Sequence, residues 1–386
     1  MAKMVNCWNE WDALKRVIVG RPEGTCIPAP NPGWQHDLPE AGFPLGTWGR
    51  FPDEMVDEAN AQMDHFVSVM EKRGIVVDRV TIHPSMLDDR AISTPDWTQI
   101  NQHGINNPRD LFLPVGNEIQ EATCCRRERW FEYLNLRPLF EQYFREDPEF
   151  IWTSAPRPRL TDESYEESYW YNYNNVWTDE KKNERLHDWQ FQTTEKEPLW
   201  DAADAFRCGK DIFWQASSVT NKGGMDWLKR YWGARGIRIH HVGFEADLHP
   251  WHIDVDLTPV RPGLALYNPV KTPFTPEFTE LMKMNDWELV PAAHPTWVGK
   301  IPIRLYGEFG APSWISMNTF SLGPNTICVE SHEQAFMEQL DKMGIEVISI
   351  PYDKVIPFGG ALHCTTLDVY REGDCEDYFP KQIEGY

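Results

Sequence analysis

Short apolar runs alternate with longer amphipathic ones along this chain. Lys15–Gly20, Gly74–Val80, Asp110–Val115, Ile237–Val242, Gly263–Tyr267, Thr326–Val329 and Ile345–Ile350 are brief and rich in β-branched residues. Gly, Pro, Asn or Asp bound them, so they read as strands. The stretch Pro52–Arg73 carries Met55, Val56, Ala59, Met63, Phe66, Val69 and Met70 near a 3.6-residue period, which predicts a helix. Ser331–Met343 repeats that pattern and stops at Gly344, a residue suited to the left-handed end of a helix. Helix, Gly, Ile and strand follow one another at Gly74, Gly236 and Gly344, a repeated helix-to-strand unit without a strict period. Pro22–Phe51 and Ser154–Glu197 interrupt the alternation as loop excursions (22–51 and 154–197). The second is dense in Tyr, Asn and Trp between Tyr165 and Trp177, which predicts an ordered, packed segment. No linker composition divides residues 1–386, so one domain of ββα-type modules is expected.

Composition narrows the function classes. The 386 residues include 37 Lys+Arg and 59 Asp+Glu, a net charge of −22, which disfavours nucleic acid and anionic membrane surfaces as partners. No apolar window approaches the length of a membrane span, and the N-terminus lacks the apolar core of a secretion signal, so a cytoplasmic location is expected. Eight scattered Cys without a CxxC pair give no sign of a zinc ribbon or a dithiol redox centre. Vicinal Cys124 and Cys125 read as structural.

Chemistry concentrates in a few segments. His249–Leu257 alternates as a strand would, placing His252, Asp254 and Asp256 on one face and Ile253, Val255 and Leu257 on the other. A solvated edge strand explains that face as well as a site does, and a metal set from His249, His252 and Asp254 is a weaker alternative. Asp201 and Asp204 flank small residues, as in the first turn of a helix. Arg109–Asp110 reads by default as a surface pair. Gly359–Gly360 leads towards a strand carrying Cys364, with a backbone that a ligand can approach. A buried structural thiol is the default for any one Cys, and His363, adjacent in a strand, points away from Cys364 and is a poor candidate for its base.

Taken as an ordered set, these segments resemble the L-arginine:glycine amidinotransferase family of the guanidino-group-modifying (pentein) superfamily. The matching blocks are Asn9-Glu10-Trp11-Asp12, Pro108-Arg109-Asp110, Arg129-Trp130-Phe131-Glu132-Tyr133, Asp201-Ala202-Ala203-Asp204, His252-Ile253-Asp254, Asn268-Pro269, Trp314-Ile315-Ser316-Met317-Asn318 and His363-Cys364. They run from about residue 6 to about residue 372. The resemblance implies an α/β fold, a five-bladed propeller of ββαβ modules with pseudo-fivefold symmetry, and neither cofactor nor metal. It implies Cys364 as nucleophile, His252 as acid/base and Asp204 as the group orienting the imidazole. Asp110 and Asp254 would grip a guanidinium, with Lys271, Trp251 and Asn318 also at the substrate. The implied reaction moves the amidino group of L-arginine through an amidino-cysteine to an amine acceptor, releasing L-ornithine. The implied partners are these small molecules, and a homodimer is one assembly the family uses.

The chain departs from the family around the substrate's amino-acid end. Lys271 stands where glycine-forming members have Arg, Ala311 and Pro312 where they have Ser, and Trp251 where Met is usual. A specialised amine of toxin or antibiotic biosynthesis is therefore an expected acceptor alongside glycine. A guanidine hydrolase of the same superfamily and a catalytically silent binding protein are the competing readings.

Overall fold

The computed structural model describes residues 3–33, 48–87, 90–245, 250–296 and 313–386. Its regular structure is built from one unit used five times: two antiparallel strands, a helix, and a third strand parallel to the second. The unit elements, in chain order, are β1 (Ala13–Val19), α1 (Asp53–Lys72), β2 (Val76–Arg79), β3 (Phe112–Val115), β4 (Glu118–Glu121), α2 (Arg137–Glu146), β5 (Ile151–Ser154), β6 (Ala205–Cys208), β7 (Asp211–Trp214), α3 (Lys222–Gly233) and β8 (Arg238–His241). They continue with β9 (Leu257–Arg261), β10 (Leu264–Tyr267), α4 (Pro276–Met284), β11 (Glu288–Pro291), β12 (Phe320–Gly323), β13 (Thr326–Glu330), α5 (Gln334–Lys342), β14 (Glu346–Ile350) and β15 (Thr366–Glu372). The C-terminal strand β15 pairs antiparallel with β1 and so supplies the first strand of the first sheet. Each of these five sheets has three strands, two further two-stranded pairs (Cys26–Ile27 with Gly49–Arg50, Ile92–Ser93 with Thr98–Gln99) lie outside the repeat, and no sheet among the described residues closes on itself.

The hydrophobic pattern accounts for these elements. In α1 the buried residues are Ala59, Met63, Phe66 and Met70, a stripe at helical spacing, with Asp53 and Glu54 in the first turn and Lys72 in the last. Gly74, Gly236 and Gly344 adopt positive φ just after α1, α3 and α5, the left-handed ends that the sequence signals. After α4 a non-glycine residue, Asp286, takes that conformation, and for this reason glycine punctuation does not mark the fourth unit. The excursion at 154–197 forms two short helices, Tyr169–Asn175 and Asp179–His187. Tyr169, Trp170 and Tyr173 are buried together there, and the Arg185 guanidinium sits 4.3 Å over the Trp177 ring.

The repeat fixes where chemistry can be placed. A 3-10 turn precedes the first strand of three units: Pro108–Leu111 before β3, Ala202–Asp204 before β6 and Ile253–Val255 before β9. The turn Ser313–Met317 precedes β12, and a turn at 362–365 precedes β15. The turn before β3 touches the one before β6, which touches the one before β9, which touches the one before β12. Side chains borne on them therefore converge although they lie far apart in sequence.

Behind these turns lies a buried ion network. Arg207 on β6 donates from Nε to Glu10 at 2.7 Å and from Nη2 to both Asp368 oxygens at 2.9 Å. Asp368 on β15 also accepts from Arg109 at 2.8 Å and from Arg371. Burial alone would raise the Asp368 carboxyl, but these arginines hold it well below the usual carboxylate range. Arg109 and Asp110 are thus not the surface pair expected: both are buried, and each has a different partner. Removing one member leaves uncompensated charge in a dry interior. Arg207→Met is expected to destabilise the protein by about 3–5 kcal/mol, read as a lower urea midpoint with an unchanged slope. A variant within about 0.5 kcal/mol of the parent would show that the network is solvated.

Candidate active site

Cys364 lies in the turn before β15 and not on a strand as its sequence context suggests. The turn is shaped by packing. A Cβ on Gly360 would stand 2.5 Å from the Cys364 Cβ and 2.8 Å from the Asn107 Oδ1, so the position excludes any side chain. The glycine thus serves this close approach of the chain to itself. Asn318 holds the backbone and sulfur of Cys364 together. Its Oδ1 accepts from the backbone N–H of His363 at 3.0 Å and of Cys364 at 3.1 Å, and its Nδ2 donates to Cys364 Sγ at 3.1 Å.

Three buried carboxylates approach from the other turns. Asp254 Oδ2 is 3.3 Å from Cys364 Sγ and accepts from His363 Nδ1 at 2.8 Å. Asp110 is paired through Oδ2 with Arg129, which Glu132 also holds at 2.8 Å. Asp204 accepts through Oδ2 from Ser217 at 2.6 Å and Thr220 at 2.5 Å. Each of the three is tied down by one oxygen. The other, Oδ1 of Asp110, Asp204 and Asp254, is buried without a hydrogen-bond donor among the described residues. A buried acceptor left unpaired costs about 1–3 kcal/mol, so this arrangement suits a donor-rich ligand.

His252 lies among the same groups. Its Nε2 is 3.5 Å from Asp201 Oδ2, the nearest carboxylate oxygen to it among the described residues, and its Nδ1 is 3.9 Å from Asp110 Oδ1. Burial alone would lower this imidazole, but Asp110, Asp201 and Asp204 push it up to about 10, so it is cationic at neutral pH. Burial raises Asp110 and Asp204, against Arg129 and His252 for the first and His252 for the second. For Asp254, His363 and His252 outweigh burial and hold the carboxyl below its ordinary value. Burial, followed by Asp254 and Asp110, keeps the Cys364 thiol well above its own. Asp110, Asp201 and His252 bring one ligand atom each within 4.8 Å of one another, a spacing a metal ion accepts. A cationic imidazole has no lone pair to offer, so the proton competes with any such ion.

Several expectations change here. Residues 252–256 are a 3-10 turn with a hydrogen bond from Asp256 N to Ile253 O, not a strand, and both sets of the alternating residues are buried. His252 and Asp254 still reach the site, because neighbouring turns enclose this one from several directions. Asp256 does not reach it. It accepts from Asn268 at 3.2 Å and is 2.6 Å from the Lys271 ammonium. Trp251 is stacked under the Arg126 guanidinium at 4.4 Å, with its ring 5.7 Å from that of His252. His249, Ala311 and Pro312 lie outside the described residues. Sequence reasoning passed over Asp201, the carboxylate nearest to the His252 Nε2, although it capped the same acidic turn. It also set aside His363, which faces Asp254.

The electrostatic assignment is tested by following the His252 ring by NMR. The imidazole is expected to titrate near pH 10, and Asp201→Asn to lower that midpoint more than Asp204→Asn does. Its stabilisation of the fold is fully present below about pH 6.5 and is lost as pH rises through about 10. A midpoint near 6.5 in the parent protein would contradict the assignment.

No protein-family model matches the chain. Known proteins do resemble it. It is 34% identical over 383 residues to the mitochondrial glycine amidinotransferase of Xenopus tropicalis, covering 96% of this chain and 84% of that protein. It is 32% identical over 374 residues to the L-arginine:L-lysine amidinotransferase of Pseudomonas savastanoi pv. phaseolicola, covering 96% of this chain and 95% of that one. Among solved structures, SxtG, an amidinotransferase from Microseira wollei in the saxitoxin biosynthetic pathway, superposes with a TM-score of 0.80 at 34% identity, covering 97% of this chain and 99% of that one.

Proposed function

The chain belongs to the amidinotransferase family of transferases, and from that premise we propose that it takes the amidino group from L-arginine onto Cys364 and passes it to an amine acceptor. The observation that carries this reading is the set of free Oδ1 atoms on Asp110, Asp204 and Asp254. A guanidinium is planar, cationic and rich in N–H donors, which matches buried carboxylates with open acceptors. Its positive charge persists through the reaction, so fixed carboxylates stabilise it where acyl transfer would need an oxyanion hole.

The steps follow from the groups present. Asp254 and Asp110 keep the free thiol protonated, and a bound guanidinium offsets their charge and releases the Cys364 proton to solvent. The thiolate attacks the guanidinium carbon. His252, already cationic, donates its proton to the nitrogen that becomes the δ-amine of ornithine, and the carbon–nitrogen bond breaks. An amidino-Cys364 remains, with His252 neutral. The acceptor amine attacks the same carbon, His252 takes its proton, and Cys364 leaves as thiolate. The five units act as blades about a common axis, with the turns at the centre.

The acceptor is a specialised amine, and not glycine. Lys271, where glycine-forming relatives carry a carboxylate-binding Arg, has its ammonium 2.6 Å from buried Asp256. An ammonium already neutralised inside the fold is a weak clamp for a second carboxylate, and it lacks the arginine fork.

Intact-mass measurement after adding L-arginine tests the donor half. The protein is expected to gain one amidino group and release ornithine, with both effects lost in Cys364→Ala. Citrulline in place of ornithine, with no adduct, would identify a hydrolase instead. An amine panel then tests the acceptor, and efficient turnover with glycine alone would overturn the specialised-amine assignment.

A further inference from the structure

His363 is adjacent to the nucleophile in sequence, yet its ring points to the far side of Asp254. Three contacts pin it there. Its backbone N–H donates to Asn318 Oδ1 at 3.0 Å, its backbone carbonyl accepts from Arg109 Nε at 2.8 Å, and its Nδ1 is 2.8 Å from Asp254 Oδ2. On the other edge of the ring Nε2 is 3.6 Å from Glu10 Oε2, and Glu10 is held by Arg207 of the buried network. An ionised Asp254 only accepts hydrogen bonds, so the 2.8 Å contact requires the proton to sit on Nδ1. That donor occupies Oδ2, the oxygen also facing Cys364 Sγ, and leaves Oδ1 free.

We propose that His363 is a positioning residue of the reaction: its Nδ1–H fixes Asp254 as an ionised, oriented acceptor for the substrate guanidinium, and the Glu10–Arg207–Asp368 network fixes His363. The proposal rests on the guanidinium reading above and extends it to a residue that touches no substrate. It explains why a histidine, and not an apolar residue, stands beside the nucleophile in a turn where its backbone alone is needed by Asn318. The charged and titratable groups facing this pair are Cys364 and His252 on the site side and Glu10, Arg207, Arg371 and Asp368 behind it. A donor on Asp254 favours its charged form, so loss of the donor raises the pH at which Asp254 ionises.

The test compares two polar variants of similar size. In His363→Asn the side-chain N–H reproduces the position of Nδ1. In His363→Gln it reproduces that of Nε2, reaching towards Glu10 and away from Asp254. L-arginine binding is measured by calorimetry in the Cys364→Ala background, where no adduct forms. His363→Gln is expected to weaken binding by about 10-fold or more, in line with the loss of one hydrogen bond to a charged group, and to move its acidic onset to higher pH. His363→Asn is expected to stay within about threefold of the parent, since its donor is kept. Equal affinities and equal pH profiles for the two variants would overturn the proposal. If Cys364→Ala with His363 intact binds no L-arginine, it is the donor assignment that fails. The comparison is then read from the alkylation rate of Cys364 against pH, with the thiol intact. His363→Gln must move the midpoint there and His363→Asn must not, and an unmoved midpoint in both overturns the positioning role.

Discussion

Uncompensated negative charge in a dry interior is the constraint on which this molecule turns. Asp110, Asp201, Asp204 and Asp254 are all buried on neighbouring turns, Asp254 within 3.3 Å of the Cys364 thiol. Arg129 answers part of Asp110, and His252 answers it and Asp201 at ion-pair distance. What is left over is visible as raised Asp110 and Asp204 carboxyls, a His252 that keeps its proton to about pH 10, and a thiol held far above its ordinary value. These are one fact seen from several atoms, namely that the pocket is short of positive charge. On the proposed function, a guanidinium corrects the shortage, and in doing so removes the groups' hold on the thiol proton.

The rest of the fold keeps those carboxylates from relaxing. Each sits at a turn immediately before the first strand of a repeated unit, and Asp110, Asp204 and Asp254 are each pinned by one oxygen while the other has no donor among the described residues. The buried network of Arg207, Arg109, Arg371, Glu10 and Asp368 closes the opposite side. Its arginines bond to Glu10 and Asp368 and donate to none of the open Oδ1 atoms. Asn318 and Gly360 fix the thiol itself, one by three hydrogen bonds and the other by having no side chain. Stability and preorganisation thus come from the same contacts, and a site this strained in charge would otherwise collapse onto its own donors.

Strands were legible as short β-branched apolar runs between turn residues, and the long helix α1 by the period of its buried face. The α1 stripe and the left-handed glycines after α1, α3 and α5 mark the repeat in the residues themselves. The turns were not legible as turns. In His252–Asp256 the alternation of polar and apolar residues imitates a strand, yet all are buried, because the neighbours that enclose them come from Asp110, Asp201 and His363, which lie about 50 to 150 positions away. Arg109–Asp110 failed for the same reason, since no local rule shows that each side chain leaves its neighbour for a remote partner. The segments bearing Cys364, His252, Asp204, Asp110 and Asp254 stood out from the residues, their roles entered only through resemblance, and the structure brings their turns together. Asp201 was hidden by a reading that was itself sound, as its side chain does cap the Ala202–Asp204 turn at Ala203 N, 3.2 Å away. Lys271 shows the converse. The resemblance placed it at the substrate, and its ammonium has an internal partner in Asp256 at 2.6 Å.

The central claim is that the pocket selects a cation and not merely the shape of arginine. Calorimetry of Cys364→Ala with L-arginine and with L-citrulline tests it directly, since the two ligands differ little in size but only one is charged. L-arginine is expected to bind at least about 100-fold more tightly, because L-citrulline brings no positive charge to the buried carboxylates. Equal affinities would contradict it.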